Sequence, residues 1–350
     1  MPTIDELETP AVLIDLDRVE ANLKRAQVHA DANGYKLRPH IKTHKLPRFA
    51  LEQLRLGAVG ITVQKLGEAE VMADAGLTDI FLPYNILGEK KLARLKALNE
   101  RVTLSVTADS PDTVAGYAAT FTSGRPLTVL VECDTGTRRC GVQTPAQALA
   151  LARQIQLAPG LRFGGLMTYP PGGKAEQSEA WLREASDLFA QAGIAVPRIS
   201  SGNTPDMWRT GQSVVTERRP GTYIYYDRMQ VAAGAAGFED CALTVLATVV
   251  SRPTPTRAVL DTGSKSLSSD IGSLDGYGLV AGTDLTLKFV NEEHGVIEAA
   301  EPFESLRIGQ QVRIVPNHAC VVSNLFDRVH LIRGKDVVET VAVAARGRVD

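Results

Sequence analysis

The sequence predicts an α/β chain, a (β/α)8 TIM-like barrel followed by an all-β C-terminal domain. Two observations carry this. Over residues 11–237, β-rich runs alternate with segments of helical period, and eight such runs can be counted. From Phe238 onward, over residues 238–350, the helical period is gone and β-rich runs separated by turn residues follow one another.

The eight candidate strands are Val12–Leu16, Leu37–Ile41, Val59–Val63, Asp79–Tyr84, Val102–Val106, Leu127–Cys133, Leu161–Tyr169 and Arg198–Ser201. In Asp17–Asn33, which follows the first of them, Val19, Leu23, Ala26 and Ala30 recur at helical spacing. Leu66–Ala75, Lys90–Asn99, Ala146–Ile155 and Glu176–Ala192 read the same way, and Gly76, Gly160 and Gly193 stand where helices should stop. Strict βα alternation implies a parallel sheet with right-handed crossovers, and eight strands favour a closed barrel over an open sheet. In the second part the runs are Leu243–Val250, Arg257–Leu260, Leu285–Phe289, Gly295–Ala299, Gln311–Val315, Arg328–Ile332 and Val337–Val343, with Gly263, Gly272, Gly276, Gly282 and Gly309 as turn signals.

A chain of 350 residues has ample material for a large core, and 44% apolar with 22% charged residues is an ordinary globular balance. A net charge of −2 and a pI near 6.3 argue against nucleic acid or an anionic membrane as partner. Met1–Glu6 carries no basic region leading into an apolar run, and no apolar stretch is long enough to span a bilayer. Cys133, Cys140, Cys241 and Cys320 form no CxxC pair, so a reducing cytoplasm is the expected setting.

Basic residues crowd into Leu37–Arg38–Pro39–His40–Ile41–Lys42–Thr43–His44–Lys45, just before Pro47, which suits a helix start. Read as a strand, Arg38, His40 and Lys42 project to one face. Two readings fit: a solvated basic edge strand, or a lysine near other cations whose ammonium pKa falls and whose amine becomes nucleophilic.

The string Arg38–Lys45 resembles the pyridoxal-phosphate lysine motif of the D-threonine aldolase and D-serine dehydratase family, whose barrel is shared with the alanine racemases. The resemblance implies that Lys42 forms the Schiff base with the cofactor, and that the N-terminal residues, 1–10 here, pack on the β domain. Asp134–Thr135–Gly136–Thr137–Arg138–Arg139–Cys140–Gly141 resembles the family's Asp-x-Gly-x-x-Arg-x-Gly loop, which assigns the contact to the cofactor ring oxygen to Arg139, with Arg138 as its neighbour. By the same resemblance Tyr169 belongs to the pyridine-ring environment and Gln64 is a cofactor neighbour. Where some relatives have a His soon after that Tyr, this chain has Pro170–Pro171–Gly172–Gly173.

Phosphate needs backbone N–H donors, best supplied by a helix start or a glycine-rich turn. Gly202–Asn203–Thr204–Pro205 and Gly221–Thr222–Tyr223 are two such turns near the end of the barrel, and they match the family's phosphate cup. His318 and Cys320 are two apart, so on a strand they share a face and can grip one ion. The resemblance implies a divalent metal at this His-x-Cys. Imidazole with thiolate favours zinc, and harder donors favour manganese or magnesium. His29 reads as a residue of an exposed helix face and His330 as a strand residue, while His294 and His44 are open as further site residues.

The function so implied is a lyase dependent on pyridoxal phosphate and a divalent metal, acting on a D-3-hydroxy amino acid as a homodimer. Two outcomes use the same parts: retro-aldol cleavage of D-threonine to glycine and acetaldehyde, the reading preferred here, and D-serine or D-threonine dehydration with loss of ammonia. A non-catalytic cofactor carrier is disfavoured by the β domain. A racemase is disfavoured because Leu260–Lys265 supplies no Tyr as a base for the second face.

Overall fold

Proline begins three of the helices, Pro47–Leu56, Pro111–Thr120 and Pro145–Leu157, because its missing N–H is not needed in the first turn. Ser110 and Thr144 cap the second and third of these by accepting from the backbone N–H of Thr113 and Gln147. The structure, a computed structural model, describes residues 2–350. It divides into two compact units: residues 26–42, 46–221 and 348–350 form one, and residues 2–25, 43–45 and 222–347 the other.

The first unit is a (β/α)8 barrel. Its eight parallel strands are Lys36–Leu37, Ile61–Thr62, Asp79–Leu82, Thr103–Ala108, Leu127–Glu132, Leu161–Met167, Ile199–Ser201 and Glu217–Arg218. The first pairs with the last in parallel register, Lys36 with Glu217. The His40–Thr62 bridge and the Val59 N–H donating to Leu37 O at 2.9 Å join the first to the second, which closes the ring. Phe81, Leu130 and Met167 fill part of the interior.

Two strand expectations change. The run read as Val12–Leu16 is the strand Ala11–Asp15, and it belongs to the antiparallel sheet, paired with Leu243–Leu246 and with His330–Ile332. The eighth barrel strand is Glu217–Arg218, whose two residues are too short to show any period. Gly160 ends no helix. It precedes the strand Leu161–Met167, and a Cβ there would lie 2.0 Å from Phe121 O. His29 is half-buried on the helix Leu16–Ala32, with its ring edge-on to Trp208 at 5.1 Å between centroids.

The barrel interior also holds charge. Arg38 donates through Nε to Glu217 at 2.7 Å and through Nη1 to Asp79 at 2.5 Å, and Arg198 lies 3.5 Å from the same Glu217. Burial pushes the Glu217 carboxyl up, and Arg38 and Arg198 outweigh it, so the group sits below its usual value. A carboxyl depressed in the folded state contributes stability above the unfolded carboxylate range, and loses it as pH falls through the folded value. The barrel is therefore expected to weaken below about pH 4. Glu217→Gln, which leaves the arginines buried without their carboxylate, is expected to cost about 3–5 kcal/mol in urea unfolding at neutral pH. An unchanged midpoint would show that the network is not stabilising.

The second unit is built on a nine-stranded, mainly antiparallel sheet, in which Leu243–Thr254 is central, pairing with Ala11–Asp15, Arg257–Leu260 and Gln311–Pro316. The edge pair Arg328–Arg333 and Asp336–Ala342 completes one side, and Gly278–Val280, absent from the sequence reading, pairs with Gln311–Pro316. The antiparallel unit takes up residues 2–25 and begins again at Thr222, whereas the sequence reading joined 1–10 to 238–350. Strand pairing of Ala11–Asp15 accounts for the wider N-terminal share. No helix is long and apolar enough among the described residues to cross a membrane.

Candidate active site

In a barrel of this type the working side chains stand at the carboxyl ends of the strands. The chain leaves its first barrel strand at Leu37, makes a single bridge at His40, and turns through the 3₁₀ segment Ile41–Thr43. Lys42 therefore sits on a turn, not on a strand face shared with Arg38 and His40. Arg38 points into the barrel and is neutralised by Glu217 and Asp79, so neither a solvated basic strand nor a cluster of free cations describes this segment. Lys42 is half-buried, and its amine makes no hydrogen bond or ion pair among the described residues. Its backbone N–H donates to His40 Nδ1 at 3.3 Å, and His40 Nε2 meets Gln64 Oε1 at 3.1 Å, which ties Gln64 to the lysine turn.

The strand Leu127–Glu132 delivers the arginine loop. Asp134 Oδ1 accepts from the N–H of Gly136 at 2.9 Å and of Arg138 at 3.1 Å. Burial raises the Asp134 carboxyl, but these N–H groups hold it below its usual value. Gly141 closes the loop with a φ of 119°, and a Cβ there would fall 2.4 Å from Asp134 N, so only glycine fits. The result places the Arg139 guanidinium over the Tyr169 ring at 4.8 Å, which brings two sequence-predicted residues together.

Beneath them lie residues the sequence reading did not single out. Glu132 is buried, and burial, together with Asp109, pushes its carboxyl up to about 7 against the pull of Arg139, Thr107 and Arg219. Arg219 is buried, donating to Ser200 Oγ at 2.6 Å and to Thr168 O at 2.7 Å, and burial lowers its guanidinium to about 10. One side chain thus ties the ends of three neighbouring barrel strands. Sequence showed Arg219 only as the residue before Pro220.

The two glycine turns follow the last two barrel strands. Gly202 takes a φ of 103°, and a Cβ there would meet the Arg218 side chain at 3.4 Å. Pro205 begins no helix, since residues 202–210 make turns only, so this loop offers N–H groups without a helix terminus. Asn203 and Thr204 are buried; Asn203 ties its loop to the one after Leu161–Met167 by donating to Pro170 O at 3.1 Å, and braces its own by accepting from Asp206 N at 2.9 Å. Gly221 precedes the 3₁₀ turn Thr222–Ile224, in which Tyr223 is buried.

In the antiparallel unit, His318 and Cys320 are not on a strand. The strand Gln311–Pro316 ends before them, His318 occupies the N-cap of Ala319–Leu325, and Cys320 lies in that helix's first turn. They remain close enough for Cys320 to act on the His318 imidazole. His318 Nδ1 meets Asp270 Oδ2 at 2.6 Å. Burial would lower the imidazole, but Cys320, Asp270 and Asp227 together raise it to about 9. Cys320 Sγ is also 3.0 Å from Thr43 Oγ1 and 3.5 Å from Thr222 Oγ1. Among the described residues no group of three or more His, Cys, Asp or Glu side chains is placed to hold one ion. His294 is exposed in the turn where Asn291 N–H donates to His294 O, and His330 is a strand residue bonded to Thr340.

Comparison with known proteins agrees with this architecture. The model of the alanine racemase N-terminal domain matches residues 14–229, and that of a serine dehydratase domain residues 242–332. A D-threonine aldolase of Arthrobacter sp is 35% identical over 97% of this chain and 93% of its own length. The D-threo-3-hydroxyaspartate dehydratase of Delftia sp. is 33% identical over 97% of both chains, and solved structures of that enzyme include a histidine-to-alanine variant and a cysteine-to-alanine variant in the metal-free form. The crystal structure of a D-threonine aldolase from Filomicrobium marinum superposes with a TM-score of 0.89 at 32% identity, covering 99% of this chain and 97% of that one. The chain belongs to the D-threonine aldolase and D-serine dehydratase family of lyases, built on an alanine racemase-type barrel.

Proposed function

We propose that this protein is a lyase that uses pyridoxal phosphate and a divalent metal to cleave a D-3-hydroxy amino acid, D-threonine being the reference substrate, to glycine and an aldehyde. One observation carries the reading: Thr43, the residue directly after Lys42 in the chain, hydrogen-bonds the Cys320 thiol at 3.0 Å. Thr43 and Cys320 both belong to the antiparallel unit.

The residues present fit both groups. Lys42 offers an amine with no competing partner among the described residues, Gly202 and Gly221–Thr222–Tyr223 offer turn N–H groups for a phosphate, and Arg139 stands over Tyr169 as a ring-oxygen donor. For the metal, imidazole and thiolate form a borderline-soft pair suited to zinc, with manganese or magnesium the harder alternatives. Bound at these residues, the cofactor supplies an electron sink for the bond that breaks at Cα, and the metal a Lewis acid for the β-hydroxyl.

The chain's own groups do the rest. Lys42 would hold the cofactor, and its Nζ would be the chain's group for moving a proton to or from the substrate. Buried Arg219 ties the strand ends that lead to Tyr169 and Gly202 by its bonds to Thr168 O and Ser200 Oγ, a rigidity that would help orient a substrate. Whether cleavage or dehydration results would depend on which bond at Cα these residues present for the cofactor to activate.

The dehydratase alternative has an observation of its own. The substituted histidine and cysteine of the Delftia enzyme lie two positions apart, as His318 and Cys320 do. Products decide between them. D-threonine is expected to give glycine and acetaldehyde in equal amounts, with L-threonine inert. Ammonia and 2-oxobutyrate as main products would overturn the aldolase reading. We also propose a homodimer, which light scattering tests directly; an active monomer would refute it.

A further inference from the structure

We infer that Asp270 is the positioning residue of the proposed metal centre, gripping His318 by Nδ1 so that Nε2 is the nitrogen turned to the ion. The inference rests on the reading of His318 and Cys320 as ligands.

An imidazole has two nitrogens, and a hydrogen bond at one selects the tautomer that leaves the other as an electron-pair donor. His318 Nδ1 is 2.6 Å from Asp270 Oδ2, so in the neutral ring Nδ1 carries the proton and Nε2 is the nitrogen left to donate an electron pair. The carboxylate oxygen that holds Nδ1 is on the far side of the ring from that point and cannot be a ligand of the same ion. The lack of any three-membered acidic or soft cluster among the described residues agrees with a bracing role rather than coordination.

What makes Asp270 more than a passing surface contact is how it is held. Residues 268–276 contain neither helix nor strand, so their position depends on specific bonds. Asn317, 1% exposed, donates its Nδ2 to Asp270 O at 3.1 Å and to Gly276 O at 2.8 Å. Arg228 Nη1 in turn donates to Asn317 Oδ1 at 2.6 Å, and Asp270 N–H reaches Ser268 Oγ at 3.1 Å. Consecutive residues of the metal segment thus grip one aspartate twice, Asn317 by its backbone and His318 by its carboxylate. Asp227 fixes the other side of His318, accepting from Ala319 N at 2.9 Å. The histidine is clamped at Nδ1 and just past its own Cα.

The test measures metal affinity on cofactor-loaded protein, by competing zinc and then manganese against a metallochromic chelator. His318→Ala, Cys320→Ala, Asp270→Asn and Asp270→Ala are compared with the parent. Asp270→Ala is expected to weaken binding 10- to 100-fold. Asp270→Asn is expected to weaken it less, since the amide oxygen still accepts from Nδ1–H. Both should leave the visible cofactor absorbance and the melting temperature unchanged, and the cobalt-substituted forms should keep the parent's thiolate-to-cobalt band and coordination number. Unchanged affinity in both Asp270 variants, while His318→Ala and Cys320→Ala lose binding, would overturn the positioning role alone. A changed cobalt coordination number in Asp270→Ala would overturn it too, by making Asp270 a ligand. Unchanged affinity in His318→Ala and Cys320→Ala would instead remove the metal reading on which the inference stands.

Discussion

Lys42→Ala is expected to lose turnover by at least about a thousandfold and to lose the visible absorbance of lysine-bound cofactor. The physical reason is that no other amine can take over. Lys45, the next lysine in the chain, donates its Nζ to Ala345 O at 3.3 Å and is buried, whereas the Lys42 amine has no such partner among the described residues. Lys42→Arg should do no better, because a guanidinium stays protonated and cannot attack a carbonyl. Borohydride treatment followed by peptide mapping should place the reduced cofactor on Lys42 in the parent and on no residue in Lys42→Ala. A retained, borohydride-reducible adduct in the variant would put the covalent link elsewhere and undo the site assignment. Adding free cofactor to the variant should not restore turnover, since the missing part is the amine.

Cys320→Ala should show the next largest loss, on the order of a hundredfold or more in turnover, with the cofactor absorbance retained. Removing the thiol leaves His318 as the one remaining ligand of the proposed pair, and a single imidazole holds a divalent ion weakly. Thr43 Oγ1 and Thr222 Oγ1 would both lose their sulfur partner. Thr43 is buried and Thr222 only partly so, and the loss of one weak sulfur partner each should lower the melting temperature by a few degrees. Chelator treatment of the parent should reproduce the loss, and added zinc or manganese should reverse it in the parent but not in the variant. Full activity of metal-free parent protein would remove both residues from the chemistry.

How much of this was readable in advance follows the range of the signals. Lys42 and the Asp134–Gly141 loop belong to short strings whose members lie close in sequence, so a linear pattern carries them, whereas Gln64 meets His40 across 24 positions. Arg139 and Tyr169 belong to neighbouring strand ends and meet because the βα order predicts those strands adjacent. Asp270 and Arg219 had no such string. Their partners lie at the far ends of long sequence separations, His318 for one, Thr168 and Ser200 for the other. The Ala11–Asp15 strand was seen and placed in the wrong sheet, because an apolar run has the same appearance whether its partner strand is parallel or antiparallel.

What the sequence by itself determined is the alternation of elements and the switch to an antiparallel sheet. Periodicity and motif are properties of neighbouring residues, and side-chain chemistry is fixed by residue type. Only the tertiary structure decided which strand closes the barrel, that Arg38 is spent on Glu217 and Asp79, that His318 and Cys320 open a helix, and which carboxylate holds His318. Each of these depends on groups brought within hydrogen-bond reach by packing. A charge or an imidazole takes its role from the partner it meets when water is excluded, and that partner is chosen by the fold.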